Sequence, residues 1–364
     1  MPVKISATAS QSSNKPQPFP KPKPSFELFP TTLAMCDGRI VRVSVPVPDR
    51  LSMLIDITPE IFGPKTPPGV TVAQWVLGAG HYLNAMPHNT QPLGCQYFEN
   101  KKWYRHVTLG MGHRDSSVRF EFSEQTKKAP AHLRLEMNPR KLGPKGFKTL
   151  LAILNDPDGP FAGKALLKAA RVTRIDVAVD LEGVQTDDLI AFHKGEQQRS
   201  MYIGADGVLE TLYLHGKPSK TKPAGKVLVG LYDRAKERLK KGKPAPFGPS
   251  PVTRVELVRR LSAPHNSLAK IAVIADPFGS VRVDYLMGQG VKPKQWWREY
   301  VGLRRGKSHA ATWALLGLDA ATAEKFACAY LVPSPELVAK GLNWPGWGQG
   351  LKVTGLDLLL QSST

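Results

Sequence analysis

Alternation of apolar and polar positions is clearest in three segments of the chain. Arg39-Ile40-Val41-Arg42-Val43-Ser44-Val45, Ser117–Phe122 and His132–Met137 each repeat with period two, which predicts strands with one buried face. The polar stretch Ser123–Pro130 joins the last two as a hairpin, and the helical pattern in this part covers Thr71–Asn84, entered through a Pro/Gly stretch. Further on, Phe147–Leu154 reads as helix, Asp156-Pro157-Asp158-Gly159-Pro160 breaks it, and Ala162–Ala170 resumes it. Strands are predicted at Thr173–Asp180, Glu210–Leu214, Lys226–Tyr232 and Thr253–Arg260. Thr186 followed by Asp187 and Asp188 has the chemistry of a helix start. Asp233–Lys241 is a short helix stopped by Gly242. Beyond residue 265 the pattern is helical, at Ser267–Ala275, Pro293–Val301, His309–Leu316, Ala320–Leu331 and Pro335–Lys340. The expected fold class is α+β: an antiparallel sheet core in two strand-rich halves that could be related, with inserted helices and a helical C-terminal region.

Three units follow. Residues 1–30 form a Pro/Lys-rich tail, in which Lys15-Pro16-Gln17-Pro18-Phe19-Pro20-Lys21-Pro22-Lys23-Pro24 disfavours helix and sheet. Residues 31–264 form the α+β domain and residues 265–364 the mainly helical region. With 41% hydrophobic residues in 364, the chain is expected to build a substantial core. Lys plus Arg is 50 against 30 for Asp plus Glu, so the formal charge is +20, which points to a polyanionic partner or to a merely basic soluble protein. Three widely spaced cysteines, Cys36, Cys95 and Cys328, offer neither a disulfide framework nor a CxxC metal pair. They suit a reducing, cytoplasmic setting. The chain has no apolar run of membrane-spanning length and its first residues lack the apolar core of a signal peptide, so no membrane association is expected.

Candidate chemistry sits on strands. In Thr173-Arg174-Ile175-Asp176-Val177-Ala178-Val179-Asp180, period two places Arg174, Asp176 and Asp180 on one face, so that one rigid strand carries two carboxylates on the same side. The same Arg-x-acid step recurs as Arg254-Val255-Glu256 and as Arg134-Leu135-Glu136, the latter with His132 on its face. Either these are solvated strand faces with Arg–carboxylate pairs, or Glu136, Asp176 and Glu256 converge as hard oxygen ligands for Mg²⁺ or Mn²⁺. A third feature is Gly230-Leu231-Tyr232-Asp233-Arg234-Ala235-Lys236-Glu237-Arg238, where an apolar strand ends at a tyrosine and a basic helix begins. Tyr232 is either a core-edge residue or a nucleophile, its phenolate favoured by nearby cations, a metal and the helix terminus.

Taken in order, TRIDVAVD, Thr211-Leu212-Tyr213-Leu214-His215-Gly216-Lys217-Pro218-Ser219, the GLYDRAKER block and TRVELVRR make residues 115 to 262 resemble the Rep_trans family of rolling-circle replication initiators of plasmids and filamentous-type phages. The resemblance implies a site-specific nicking and joining enzyme that forms a covalent 5′-phosphotyrosine. The family's nucleophile falls on Tyr232. Its acidic metal site falls on Asp176 and Glu256, with Glu136 the matching candidate and Asp180 a further ligand or proton carrier. His132 would assist proton transfer, and Arg174, Arg254 and Lys236 would neutralise phosphate charge. Departures are Gly230 where the family has Arg, Arg234 in place of Lys, and the altered turn His215–Ser219. The partners implied are origin DNA as a hairpin or single strand, a host helicase and polymerase, and a second copy of the chain.

Surfaces for DNA are expected along Lys217–Lys243, including Lys217, Lys226, Arg234 and Arg238. A second basic stretch mixes cations with aromatics, from Trp296 and Trp297 to Arg304 and Arg305. The competing readings are a non-catalytic origin-binding or regulatory protein of the same fold and an RNA-binding protein using the same surface.

Overall fold

In a computed structural model the described residues are 29, 31–34, 40–86, 104–111, 116–123, 125, 127, 130–220, 225–243, 250–263, 266–286, 309–319, 321–322, 331–333 and 344–363. Among the described residues the strands are β1 (Thr31–Ala34), β2 (Ile40–Val43), β3 (Val47–Asp56), β4 (Tyr104–Gly110), β5 (Ser117–Ser123), β6 (His132–Met137), β7 (Arg171–Glu182), β8 (Leu189–His193), β9 (Gln198–Ile203), β10 (Leu209–His215), β11 (Val227–Asp233), β12 (Val252–Arg260), β13 (Val281–Leu286) and β14 (Leu331–Pro333). The α-helices are α1 (Val72–Asn84), α2 (Pro139–Leu154), α3 (Gly163–Ala169), α4 (Arg234–Lys240), α5 (His309–Leu315), α6 (Trp347–Thr354) and α7 (Leu356–Gln361). The fold is α+β. Eleven strands form one sheet along the path β4-β5-β6-β3-β7-β12-β11-β10-β9, with β2 added to β7 and β1 to β2, and β14-β13-β8 form a second sheet.

The main sheet has two halves of like topology. β3 is followed by the antiparallel run β4-β5-β6, whose last strand returns to pair with β3. β7 is followed by β9-β10-β11-β12, whose last strand returns to pair with β7. β3 and β7 then join the halves as antiparallel neighbours. The two Arg-x-Glu steps therefore occupy corresponding strands: Glu136 on β6 stands opposite Ser52 of β3, and Glu256 on β12 opposite Ala178 of β7.

Period-two alternation turns Leu51, Met53, Ile55, Leu133, Leu135, Ile175, Val177, Val179, Val255 and Leu257 to one face. There they share one core with Trp75 of α1, Phe147 of α2, Leu166 of α3, Leu351 of α6 and Leu359 of α7. Helix α1 begins where the sequence places it, because Thr71 and Gln74 cap each other reciprocally, and Trp75, Val76, Ala79 and Leu83 make its buried stripe. The polar members of the same strands, including Arg174, Asp176, Arg254 and Glu256, are left on the opposite face.

Several expectations are corrected. Thr186–Asp188 is a single 3₁₀ turn capped by Gln185 that leads into β8, so the acidic start opens no α-helix. Ser267–Ala275 is also 3₁₀, over Leu268–Val273. The C-terminal region is not purely helical: β13 lies in it, and Leu331, expected to end a helix, opens β14. The strand expected at Arg39–Val45 ends at Val43, and the longer β3 that follows had no regular alternation. Helix α2 starts eight residues before Phe147, at Pro139, and kinks at Gly143 (φ 61°) and Pro144. The helices expected at Pro293–Val301 and Pro335–Lys340, most of that at Ala320–Leu331, nearly all of the 1–30 tail and the three cysteines lie outside the described residues. Among the described residues no helix is long and apolar enough to cross a membrane.

Two tests follow from this packing. A Cβ on Gly350 of α6 would stand 1.8 Å from the Pro46 carbonyl oxygen, whereas one on Gly348 meets nothing within 4 Å. Gly350→Ala should lower unfolding stability by about 1–3 kcal/mol or more, while Gly348→Ala is neutral or slightly stabilising, read from urea midpoints at unchanged m-value. His193 accepts the Gly195 N–H at Nδ1 (2.9 Å) and meets Ser280 Oγ through Nε2 (3.0 Å). Burial lowers its pKa below the ordinary 6.5, with only a weaker opposing pull from Glu196. The neutral ring is the folded form, so its contribution is full above about pH 6.5 and is lost as the pH falls and the unfolded chain takes the proton first. The stability gap between the wild type and His193→Gln should therefore narrow from pH 7.5 to pH 5 in thermal melts, and a constant gap would contradict the assignment.

Candidate active site

The polar face is most crowded where β3, β7, β12 and β11 lie side by side. Register sets Tyr232, Arg254 and Asp180 in one row across the sheet, and Gly230, Glu256 and Ala178 in the next. Tyr232 thus lies diagonal to Glu256, and its hydroxyl donates to Glu256 Oε2 at 2.9 Å. Asp233, the next residue, caps α4 by accepting the Lys236 N–H at 2.8 Å, which turns the chain away immediately after the tyrosine.

Arg254 is the largest fully buried side chain, at 0% exposure. Its Nε and Nη2 donate to Asp180 Oδ1 and Oδ2 at 2.7 and 3.1 Å, and its Nη1 donates to Asp49 Oδ1 at 3.0 Å. Arg140, in the first turn of α2, adds a second cation at 2.8 Å from Asp180. Asp180 is therefore a buried counter-ion. Arg254, expected at a DNA phosphate, is sealed beneath the surface with all its nitrogens engaged.

Asp49 is the residue that sequence reasoning missed. It lies at a register shift in β3 between Pro48 and Arg50, so the bulge carries it out of the regular pairing with β7. Its charge acts on Tyr232, Glu256 and Asp176 alike. The available signal was Val45-Pro46-Val47-Pro48-Asp49, an apolar run whose prolines cannot donate to a ladder and so mark an irregular strand.

Asp176 accepts both Arg174 Nε (2.7 Å) and Nη2 (2.6 Å). Burial nevertheless raises its pKa above the usual carboxylate value. Burial, with Asp49 as the next contributor, pushes Glu256 up to about 7. Tyr232 moves upward too, through burial and the charges of Glu256 and Asp49, which outweigh Arg234. This corrects the expectation of a phenolate favoured by cations: the site holds a neutral phenol donating to a carboxylate.

The other expected site residues fall elsewhere. Glu136 is separated from Asp176 by β3 and accepts from Arg50 Nη2 (3.1 Å) and Ser52 Oγ (3.1 Å). It does not converge with Asp176 and Glu256, because its Arg-x-Glu step belongs to the other half of the sheet. His132 lies toward the far end of β6, opposite Asp56, with Nδ1 on the Pro130 carbonyl oxygen at 3.1 Å. Lys236 is ion-paired to Asp206 (2.7 Å) and Glu210 (3.5 Å), facing the β9–β10 hairpin. Arg234 pairs with Glu237. Lys217 and Lys226 are exposed near the β10–β11 connection, and Arg238 lies on α4. Trp296, Trp297, Arg304 and Arg305 lie outside the described residues.

The donor set suits a hard divalent cation in kind. Asp49, Asp176 and Glu256 are carboxylates whose mutual repulsion a cation would offset, and Glu256 registers that repulsion. A cation would compete with Arg174 for Asp176, and among the described residues no three His, Cys, Asp or Glu side chains stand in a ligating arrangement. Comparison with protein-family models and with curated proteins finds no match for the chain.

Arg254→Met leaves the buried Asp180 and the partly buried Asp49 without their shared cation. Loss of one member of such a network costs about 3–5 kcal/mol, so a large fall in the urea midpoint is expected. A fall under about 1 kcal/mol would show that the network relaxes freely.

Proposed function

We propose that this protein is a rolling-circle replication initiator, a DNA nickase and strand transferase with Tyr232 as nucleophile. The observation that carries the reading is the 2.9 Å hydrogen bond from the Tyr232 hydroxyl to Glu256 at the wall of an open pocket. A phenol with a raised pKa needs a base at the moment of attack, and Glu256, pushed up to about 7, is matched to that task near neutral pH. As the phenol oxygen bonds to the scissile phosphorus, its proton passes to Glu256, the bond to the 3′-oxygen breaks, and that oxygen takes a proton from water. The product is a 5′-phosphotyrosine and a free 3′-OH that primes synthesis. The phosphodiester energy is retained, so a later attack by a 3′-OH rejoins the strand without ATP.

Arg174 and Arg50, both partly exposed beside Asp176 and Glu136, would hold the phosphate and offset its charge. Mg²⁺ or Mn²⁺ drawn to the negative charge of Asp49 and Asp176 would supply electrostatic stabilisation of the phosphoryl oxygens, leaving Glu256 as the base. The net charge of +20 supports a polyanionic substrate. Under this reading the partners are hairpin or single-stranded origin DNA, a host helicase and polymerase, and a second copy of the chain, in the cytoplasm.

The test incubates labelled single-stranded and hairpin DNA from around the gene with the protein and Mg²⁺ or Mn²⁺. A denaturation-resistant conjugate should form and map to Tyr232. Tyr232→Phe should bind DNA as before and give no conjugate, and Glu256→Gln should slow its formation by about 10²–10⁴-fold. An undiminished conjugate in Tyr232→Phe would refute the nucleophile. Tight DNA binding by the wild type with neither nick nor conjugate would favour a non-catalytic origin-binding protein.

A further inference from the structure

A pocket of about 270 Å³ opens between β10, β11, β12 and α4, with Tyr232 and Glu256 in its wall. It is slightly smaller than the ~300 Å³ at the low end for drug-sized ligands. Gly230 lines it, and a Cβ there would stand 3.2 Å from the ring of Tyr213, its cross-strand partner on β10, crowding that wall. The missing side chain leaves the partly exposed Tyr213 ring as an aromatic wall. Tyr202, on the edge strand β9, stands edge-on to that ring at 6.0 Å between centroids and is 58% exposed.

The charge of the lining opposes a phosphate. Carboxylates outnumber ammonium groups along the wall, and the two lysines there are already bound, Lys236 to Asp206 and Glu210, and Lys240 to Glu210. An uncharged planar ring with exocyclic N–H donors suits such a wall: the aromatic face stacks and the carboxylates accept. We infer that this pocket receives an unpaired nucleobase stacked on Tyr213, from a nucleotide neighbouring the phosphate that Tyr232 attacks. The inference deepens the proposed function and rests on it for the identity of the strand. It also gives the glycine at position 230, where the Rep_trans pattern has arginine, a role: a phosphate contact is exchanged for room for a base.

Equilibrium binding separates this site from the chemistry. Oligodeoxyadenylate and an abasic strand of equal length and charge are titrated at fixed salt against the full chain and its Tyr213→Ala, Tyr213→Phe and Gly230→Val variants. The wild type should prefer the base-bearing strand by about 10-fold, within the range measured for base–aromatic stacking. Tyr213→Ala and Gly230→Val should reduce that preference toward unity, and Tyr213→Phe should keep it. All four proteins should bind the abasic strand alike, which shows that the fold and the phosphate contacts survive. An unchanged preference in Tyr213→Ala, as stacking elsewhere on the chain would give, overturns the inference, and so does a wild type without preference. Neither outcome touches the Tyr232 conjugate. A missing conjugate beside an intact, Tyr213-dependent preference would overturn the nicking reading alone.

Discussion

The buried guanidinium of Arg254 is the constraint on which the site depends. It joins the centre of the sheet to the bulge of β3 by binding Asp180 on one side and Asp49 on the other. A carboxylate and an arginine removed from water are stable only if their hydrogen bonds are satisfied, and here the planar fork meets both acids, the buried Asp180 and the partly buried Asp49, while Arg140 supplies further positive charge. That arrangement brings Asp49 close enough for its charge to act on Glu256. Burial first, and that crowding of negative charge after it, keeps Tyr232 protonated and makes Glu256 a base near neutrality. The unusual acidities at the centre thus follow from burial within the sheet, reinforced by the acid that this pairing holds beside it.

The two halves of the sheet use the same motif differently. Each closes on a strand bearing Arg-x-Glu beside a long first strand, yet only the second half carries the tyrosine. In the first half Glu136 is neutralised by Arg50 and bonded to Ser52, in a cross-strand row that also holds Arg174 and Arg119. In the second half Glu256 faces a phenol across a glycine row that leaves space above it. Near-identical local sequence therefore gives a charge-paired surface on one side and a partly enclosed acid on the other.

Tyr232 pairs in register with Thr211, and so does Tyr202, so aromatic rings extend from the centre of the sheet to its free edge. Arg234, Lys236 and Lys240 on α4 and Lys241 at its C-cap are all matched to carboxylates. The basic helix after the tyrosine consequently contributes less free positive charge than its composition suggests. Lys217 and Lys226 stand apart from that compensation, exposed on the connection between β10 and β11.

By itself the sequence determined the α+β class, the alternating strands β5, β6, β7, β11 and β12, helix α1, and the shared face of Arg174, Asp176 and Asp180. Each of these follows from short-range periodicity or from a cap within one turn, which is physics that operates along the chain. It did not disclose β3, whose prolines interrupt the alternation, nor α6, whose Gly348 and Gly350 lower helix propensity and whose ordering comes from packing on the core. Nor did it separate Glu136 from the other carboxylates or recruit Asp49. Which acids meet depends on strand order and on a one-residue bulge, both set by pairings between segments far apart in the chain. The protonation of Tyr232 and Glu256 was decided there as well, because burial and neighbouring charge exist only once the sheet has closed.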